Sequence, residues 1–204
     1  GNGGCGWKSE LRGKRGGNRR LRIIGGVWRG RQLTFADHPE IRPTPDRVRE
    51  TLFNWLQMSI RGAHCLDLFA GSGALGLEAL SRGAADVDFV EKDRNSAQTI
   101  RDHLNLLQSD QGKVHSMDAF RFLQQNGLSQ YDLVFLDPPF GRSFLEMLFS
   151  QLEALQQDIP LKLYIEYEKQ LSNLSLPEGW VVSRSGEAGQ VVYSLIERSE
   201  EASL

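Results

Sequence analysis

The residues of this chain best suited to chemistry are Asp137, Pro138, Pro139 and Phe140, which directly follow the apolar run 133–136. Proline fixes φ at about −65° and has no N–H group, so the two prolines hold the surrounding carbonyl oxygens rigid and unpaired. Asp137 adds a second acceptor, and Phe140 offers a face on which a planar heterocycle can stack. The four residues predict a site for the exocyclic amino group of a flat base, and an ordinary Pro-Pro turn with a solvated aspartate is the structural alternative.

A second candidate site lies upstream, where a buried strand at 64–68 precedes a glycine turn and a helix. Gly71, Gly73 and Gly76 match the dinucleotide pattern G-x-G-x-x-G, which by itself also fits nicotinamide enzymes. Asp67 separates these possibilities, because a carboxylate four residues before the first glycine would repel a pyrophosphate. It can instead accept hydrogen bonds from the amino group of a ligand, such as that of S-adenosylmethionine.

Two further acids follow two further apolar strands. Glu91 ends the strand at 87–90, where a carboxylate can bind both hydroxyls of a ribose. Asp118, with Ala119, follows a strand near 113–116 and is placed to meet the edge of an adenine. Each acid alone could be a helix N-cap or a solvated loop residue. Their order along the chain predicts one adenosyl ligand held at three strand ends.

The combined pattern resembles the class I S-adenosylmethionine-dependent amino-methyltransferases, whose motif reads Asn or Asp, Pro, Pro and an aromatic residue. The similarity covers about 65–140, and Asp with Phe is more similar to the guanine-N2 branch acting on ribosomal RNA than to the adenine enzymes. The segments 22–31 and 42–56 look like the bacterial 16S ribosomal RNA guanine-N2 methyltransferase D family. This resemblance continues weakly through 163–166 and 189–191.

The resemblance implies methylation of the N2 amino group of one guanine in 16S ribosomal RNA, guanine 966 in this family, with S-adenosylhomocysteine as the product. It implies a partly assembled 30S subunit as the partner. We also expect a monomer in the cytoplasm, with no metal. The residues expected to bind the cofactor are Asp67, Phe69, Ala70, Gly71, Ser72, Gly73, Gly76, Glu91, Lys92, Asp118, Ala119 and Asp137.

The expected mechanism places the target guanine, flipped out of its stack, on Phe140. Its amino nitrogen is then held by Asp137 and the carbonyl oxygen of Pro138, in line with the methyl sulfonium. Asp137 either stabilises the developing positive charge or takes a proton, and the sequence leaves both roles open. Cys65 lies inside the first strand of the sheet and is not expected to act as a nucleophile.

The basic residues are concentrated at the N-terminus. Residues 1–61 hold 13 Lys and Arg against 5 Asp and Glu, a balance of +8, and the remainder hold 11 against 21, a balance of −10. This asymmetry indicates phosphate contacts from a basic arm beside an acidic catalytic body. The residues expected to contact RNA are Arg22, Arg29, Arg31, Arg42, Thr44, Arg47 and Arg49. For Arg42 and Arg47, structural ion pairs with Asp46 or Glu50 are the alternative.

The composition fits one domain, because 204 residues that are 40% apolar can bury a single sizeable core. No apolar run approaches the roughly 18 residues of a transmembrane helix. Only Cys5 and Cys65 occur, which favours a reducing compartment, and the four histidines lack metal-ligand spacing.

The alternation of strands and helices predicts an α/β, Rossmann-like doubly wound sheet. The family resemblance implies seven strands in the order 3-2-1-4-5-7-6. Helices are expected at 74–82, 95–107, 119–125 and 144–156, after an N-terminal helix with Thr44 as its N-cap. Two final strands should form a hairpin linked through Gly186 and Gly189.

The sequence divides into four expected parts. Residues 1–21 form a flexible basic tail, 22–61 a hairpin and helix extension packed on the core, 62–198 the catalytic domain, and 199–204 a frayed tail.

Three other functions remain open at this point. The chain could be another amino-methyltransferase, acting on DNA adenine or on a protein glutamine. It could be a nicotinamide dehydrogenase, against which Asp67 and the Asp-Pro-Pro-Phe turn argue. It could also be a non-catalytic RNA-binding protein that keeps a methyltransferase-like sheet.

Overall fold

A mixed sheet of seven strands forms the centre of the computed structural model, which describes residues 17–38, 41, 43–138, 142–154, 160–171 and 175–199. Two strands outside this sheet form an N-terminal hairpin, β1 (Asn18–Arg22) and β2 (Gln32–Ala36). The strands of the central sheet are β3 (His64–Asp67), β4 (Asp86–Val90), β5 (Gly112–His115), β6 (Leu133–Leu136), β7 (Lys162–Glu168), β8 (Trp180–Ala188) and β9 (Val191–Arg198). The helices are α1 (Asp46–Trp55), α2 (Ala74–Ser81), α3 (Arg94–Leu106), α4 (Ala119–Asn126) and α5 (Arg142–Glu153).

The strand order of the central sheet is β5-β4-β3-β6-β7-β9-β8. The first five of these strands are parallel, and β9 runs antiparallel between β7 and β8. Counted from β3, this is the order 3-2-1-4-5-7-6, so the expected fold is confirmed. A central parallel strand is apolar throughout where helices cover both faces of the sheet, as the fully buried β6 shows.

The core lies in two layers, one on each face of the sheet. Along β6, Leu133 and Phe135 point to the layer formed with the hairpin, α1, α2 and α3. Val134 and Leu136 point to the layer formed with α4 and α5. This follows from the period of two of a β-strand, which sends successive side chains to opposite faces.

Helix α1 packs on the core through the stripe that its sequence predicts, with Val48 and Leu52 buried and Trp55 stacked on Tyr193 at 5.5 Å between ring centroids. The predicted N-cap is wrong. Pro45 occupies the cap position, and no side chain caps the helix. The Thr44 hydroxyl, which was expected to do so, donates to the Glu166 carboxylate instead.

The N-terminal hairpin begins earlier than expected. Strand β1 starts at Asn18, so residues 18–21, assigned above to the flexible tail, pair with β2. Residues 1–16 and 200–204 lie outside the described residues. At the other end of the chain, the Ser199 amide donates to the Gly179 carbonyl oxygen.

The hairpin is fixed to the sheet layer by buried polar groups of α2. The amides of Ile24 and Gly25 donate to the carboxylate of Glu78, which is 0% exposed. The Trp28 amide donates to the hydroxyl of Ser81, whose backbone carbonyl accepts from Val27. The loop between β1 and β2 is thereby attached to the C-terminal half of α2.

The C-terminal hairpin turns at Gly189 and Gln190. Gly186, expected in the connection, lies inside β8 opposite Tyr193. A Cβ atom on Gly186 would lie 2.4 Å from Cζ of Tyr193, so this glycine is required by the close cross-strand ring. No helix in the described part of the chain is long and apolar enough to cross a membrane.

Candidate functional site

The carboxyl ends of four adjacent parallel strands carry acidic side chains, which is the edge where such sheets bind ligands. Asp67 ends β3, Glu91 follows β4, and Asp137 follows β6. Glu166 lies near the end of β7, and the pairing of Leu136 with Ile165 puts it beside Asp137. The sequence pattern predicts the first three acids at this edge but not Glu166.

The glycine turn after β3 adopts the backbone that its sequence predicts. Gly71 and Gly73 have φ values of 55° and 80°, in the left-handed region where glycine is unstrained. Gly76 serves a different purpose, since a Cβ atom there would lie 2.3 Å from Cε1 of Phe89. The third glycine therefore lets α2 approach β4 closely.

Two of the acids hold this turn in place. Asp67 Oδ2 accepts the Gly76 amide at 3.0 Å, and Glu91 Oε2 accepts the Gly71 amide at 2.8 Å. Glu91 Oε1 also accepts the amide of Asp93 at 3.2 Å. A carboxylate oxygen has more than one lone pair, so each acid can still accept from a ligand.

The electrostatic environment of Asp67 favours a cationic ligand. Burial raises its pKa to about 7, the Gly76 amide opposes this, and the negative charges of Glu91 and Glu166 add to it. The side chain is only 3% exposed. A positive group placed against Asp67 would relieve both the burial and the repulsion.

Asp137 and Glu166 form a pair of carboxyl groups. Burial, the charge of Glu166 and a hydrogen bond to Glu166 hold the pKa of Asp137 well above its usual range, with a further contribution from Asp67. Glu166 Oε1 also accepts hydrogen bonds from the hydroxyls of Tyr164 at 2.5 Å and Thr44 at 3.0 Å. The signal for Glu166 in the sequence was an acid near the end of the strand that follows the Asp-Pro-Pro-Phe turn.

The other residues of the turn after β6 are only partly described. Pro138 is half-buried beside Asp137. Pro139 and Phe140 lie outside the described residues, so the stacking role of Phe140 stays a prediction.

The remaining expected cofactor residues surround the same edge. Phe69 is half-buried and meets the Phe144 ring edge-on at 4.5 Å between centroids. Ala70, Ser72 and Ala119 are buried, and Lys92 is exposed.

Asp118 is exposed and caps α4, with Oδ2 accepting the Arg121 amide at 3.2 Å. The N-cap alternative therefore accounts for one oxygen of Asp118, and its contact with an adenine stays a prediction.

The predicted RNA contact of Arg49 is wrong. Its side chain is 1% exposed and donates to the backbone carbonyls of Thr44 and Arg22 and to Asp46. Its guanidinium also lies 4.0 Å from the buried carboxylate of Glu78. Arg49 therefore joins α1 to the hairpin and α2, and it is inaccessible to a nucleic acid. Thr44 is likewise buried against Glu166.

The described arginines that were predicted to contact RNA and are exposed lie in two places. The first place is the start of α1. Arg47 lies in its first turn, and Arg22 Nε lies 3.7 Å from Oδ2 of Asp46, the first residue of the helix. Arg29 and Arg31 lie in the loop attached to Ser81, at the end of α2 away from the glycine turn. Within the described residues, Arg29, Arg31 and Arg47 make no ion pair. Arg42 lies outside the described residues.

A cleft of about 270 Å³ adjoins the glycine turn on the side of the hairpin. Gly71 and Ser72 line it together with His38 at the end of the hairpin and Asp93 at the start of α3. The glycine turn is therefore accessible from this cleft.

Cys65 is excluded as a nucleophile by its surroundings. Burial raises the pKa of its thiol, and the charges of Asp132 and Asp86 add to this effect. The thiol therefore stays protonated and inaccessible. The described residues contain no group of three or more His, Cys, Asp and Glu that could hold a metal ion.

Comparison with known proteins identifies the family. The family model described as Conserved hypothetical protein 95 matches residues 21–197. The chain is 46% identical to ribosomal RNA small subunit methyltransferase D of Escherichia coli over 187 residues, which are 91% of this chain and 93% of that protein. The protein of the same name from Haemophilus influenzae is 43% identical over 86% of this chain and 92% of its own length.

Solved structures agree with this assignment. A chain from Escherichia coli that carries a methyltransferase description superposes with a TM-score of 0.76 at 44% identity, over 89% of this chain and 99% of that chain. A chain from Haemophilus influenzae described as a methylase gives 0.73 at 39% identity, over 89% and 100%. The strand order and these similarities show that the chain has the class I methyltransferase fold and belongs to the ribosomal RNA small subunit methyltransferase D family.

Proposed function

We propose that this protein is an S-adenosylmethionine-dependent methyltransferase that modifies the N2 amino group of a guanine in 16S ribosomal RNA. The observation that carries the proposal is the arrangement of Asp137 and Pro138 beside Asp67 and Glu91 on one edge of the sheet. Acceptors for a base amino group thereby adjoin acceptors for a methyl donor. The names of the relatives support ribosomal RNA as the substrate.

The acids and the glycine turn fit S-adenosylmethionine. Asp67 would accept from the ammonium group of its methionine part, and Glu91 from the ribose hydroxyls. The left-handed backbone at Gly71 and Gly73 lets the ligand approach the main chain closely. Asp118, at the start of α4, would meet the adenine. The ligand would supply an electrophilic methyl group at this edge.

The protein's own contribution is to position the amino nitrogen. A guanine amino group is a weak nucleophile because its lone pair is delocalised into the ring. Asp137 and the Pro138 carbonyl oxygen would accept its two hydrogens and turn the lone pair towards the methyl group. Phe140 would support the face of the base. Fixing the reacting atoms in this way accounts for a large part of the rate enhancement in such reactions.

The finer features of the substrate come from the family resemblance. We infer that the target is guanine 966, that it is methylated on a partly assembled 30S subunit in the cytoplasm, and that the enzyme acts as a monomer. The balance of +8 in residues 1–61 supports an RNA partner.

Methyl transfer from labelled S-adenosylmethionine to 16S ribosomal RNA, naked and in 30S particles, tests the proposal. Wild type should modify N2 of one guanine, and Asp137→Ala should lose the reaction while still binding the cofactor. Asp132→Asn, an exposed aspartate just before the other end of β6, is the matched control and should remain active. Full activity of Asp137→Ala would contradict the mechanism.

The same assay separates the rival functions. Modification of DNA adenine or of a protein glutamine in place of RNA would assign another amino-methyltransferase. Binding of RNA without methyl transfer would assign a non-catalytic protein. Thermal stabilisation by NAD but not by S-adenosylmethionine would assign a dehydrogenase.

A further inference from the structure

Glu166 is a carboxyl group that the proposed methyl transfer has not yet used, although it is the immediate neighbour of Asp137. Strands β6 and β7 are parallel, and Leu136 pairs with Ile165, so the next residue on each strand is one of the two acids. The two carboxyl groups are hydrogen-bonded to each other. Such a bond requires one proton, because two ionised carboxylates have acceptors only and repel each other.

The contacts of Glu166 show which partner holds that proton. The hydroxyls of Tyr164 and Thr44 both donate to Glu166 Oε1, and both residues are buried. Burial raises the pKa of Tyr164 well above its usual range, so its hydroxyl remains a donor. Burial, the charge of Glu166 and the hydrogen bond to it hold the pKa of Asp137 well above its usual range. The proton therefore lies on Asp137, and Glu166 receives its hydrogen bond.

A protonated Asp137 can hold an amino group through its carbonyl oxygen, but it cannot accept a proton unless it gives up its own. We propose that Glu166 is the positioning residue and proton-accepting partner of Asp137, so that Asp137 passes on to it the proton released by methylation of N2. This inference rests on the proposed function, because it assumes that the base amino group meets Asp137.

The relay balances in atoms and charge. As the bond from N2 to the methyl carbon forms, the bond from that carbon to sulfur breaks, and sulfur keeps the electron pair. One N2–H proton moves to the free oxygen of Asp137, while the proton on its other oxygen moves to Glu166. The pair changes from one negative charge to none, and the sulfonium loses its positive charge. Solvent then takes the proton from Glu166.

The charged and titratable groups around the pair come from every neighbouring element. Asp67 of β3 adds a negative charge to Asp137, and Tyr193 of β9 and Asp137 itself act on Tyr164. Glu91 after β4 acts on Asp67. The negative charges of Glu166 and Asp67 favour the protonated form of Asp137. We therefore expect activity to fall at low pH, when the pair takes a second proton and has no acceptor left. It should also fall at high pH, when two ionised carboxylates repel each other and lose the hydrogen bond that positions Asp137.

The test compares Glu166→Gln with Glu168→Gln, a matched change two residues further along β7. The glutamine of the first variant keeps an oxygen for Tyr164 and Thr44 but cannot take a proton. Its neutral oxygen also accepts from the protonated Asp137, which then cannot pass its proton on. We expect kcat to fall about 10- to 100-fold, with KM for RNA and the cofactor unchanged. The decrease at high pH should disappear from the kcat profile. Glu168→Gln should match wild type.

A second variant separates a relay from a structural role. Tyr164→Phe removes one donor to Glu166 but leaves both carboxyl groups, so the bell-shaped profile should persist with a smaller loss of kcat. The inference is overturned if Glu166→Gln retains wild-type kcat and both limbs of the profile. It is also overturned if Tyr164→Phe loses as much activity as Glu166→Gln. Absence of methyl transfer by wild type would instead overturn the proposed function.

Discussion

At the scale of single residues, Asp67 connects folding to ligand binding. The protein itself supplies one amide hydrogen bond to this carboxylate and surrounds it with apolar groups and other acids. Its ionised form is therefore disfavoured until a cation arrives. Because the pKa of Asp67 is raised, this carboxyl group must lose a proton before it can pair with a cationic ligand. The affinity for such a ligand therefore depends on pH.

We predict that S-adenosylmethionine binds more tightly as the pH rises towards 7. The pKa of Asp67 is raised to about 7, so below that pH the free protein must release a proton to bind an ammonium group. The dissociation constant should decrease by up to about tenfold per pH unit below pH 7 and then level off. Calorimetry in buffers of different ionisation enthalpy measures the released proton. Asp67→Asn should remove the dependence, and a pH-independent affinity of wild type would contradict this role.

We predict that Gly76→Ala destabilises the protein by about 1–3 kcal/mol, because the added methyl overlaps Phe89. Urea denaturation gives the free energy of unfolding. Gly17→Ala is the control, since a Cβ atom there meets nothing within 4 Å. Adding Phe89→Leu to Gly76→Ala should recover part of the loss, and simple additivity of the two changes would argue against the overlap.

At the scale of elements, α2 connects two parts of the molecule. Its first turn follows the glycine turn, and its last turn holds the hairpin through Glu78 and Ser81. Glu78 receives two backbone amides and lies within ion-pair distance of Arg82 and Arg49. A buried carboxylate with several donors is costly to disturb, because the remaining cations lose their partner.

We predict that Glu78→Gln lowers the free energy of unfolding by about 3 kcal/mol, since Arg49 stays buried with its charge less compensated. Glu50→Gln on the exposed side of α1 should change it by less than about 0.5 kcal/mol. Hydrogen exchange of the Ile24 and Gly25 amides reports whether the hairpin opens locally. Unchanged protection of these amides in Glu78→Gln would show that the carboxylate does not hold the hairpin.

The order of the elements could be predicted because it depends on local patterns. Asp67 and Glu91 each end an apolar run and precede a turn, so the chain itself marks them as residues of a sheet edge. Arg49 and Glu166 could not be assigned in the same way. Arg49 lies close in sequence to Arg42 and Arg47, which suggests an exposed basic surface. Its buried position places it near Glu78 of another helix, and the local sequence does not show that contact. Glu166 lies within an alternating strand, where an acid is typical of a solvated face.

The start of the hairpin was misplaced for a related reason. Asn18 to Arg22 is a polar, arginine-rich sequence that resembles a flexible tail. Its strand conformation depends on pairing with β2, in which only Leu33 and Phe35 are buried. The composition of a short segment does not show which other strand it will pair with, so the strand conformation of β1 could not be predicted from its own residues.

At the scale of the whole molecule, the N-terminal hairpin is attached to the same layer of helices that carries the glycine turn. Besides its attachment to α2, the hairpin contacts α3 through His103 Nε2, which donates to the Thr34 carbonyl oxygen at 3.0 Å. The arginines of the hairpin are thus held in place before any RNA binds. Binding by such a surface depends on salt, because each phosphate contact releases counterions.

We predict that Arg29→Ala with Arg31→Ala weakens RNA binding and lowers the slope of log affinity against log salt by about 1–2. The kcat at saturating RNA should not change, since both residues lie away from the sheet edge. Arg184→Ala, an exposed arginine on the edge strand β8, is the control for net charge. An equal effect of Arg184→Ala would indicate a general charge effect instead of a defined contact.

Because the hairpin is attached to the last turn of α2, that helix sets the distance between the hairpin loop and the glycine turn. Its eight residues span about 12 Å, from the glycine turn to the loop that contains Arg29 and Arg31. Phosphates bound at the loop would lie at a set distance from the base held at the sheet edge. The enzyme would then select its nucleotide partly by measuring along the RNA, and one added helical turn would shift that distance by about 5 Å.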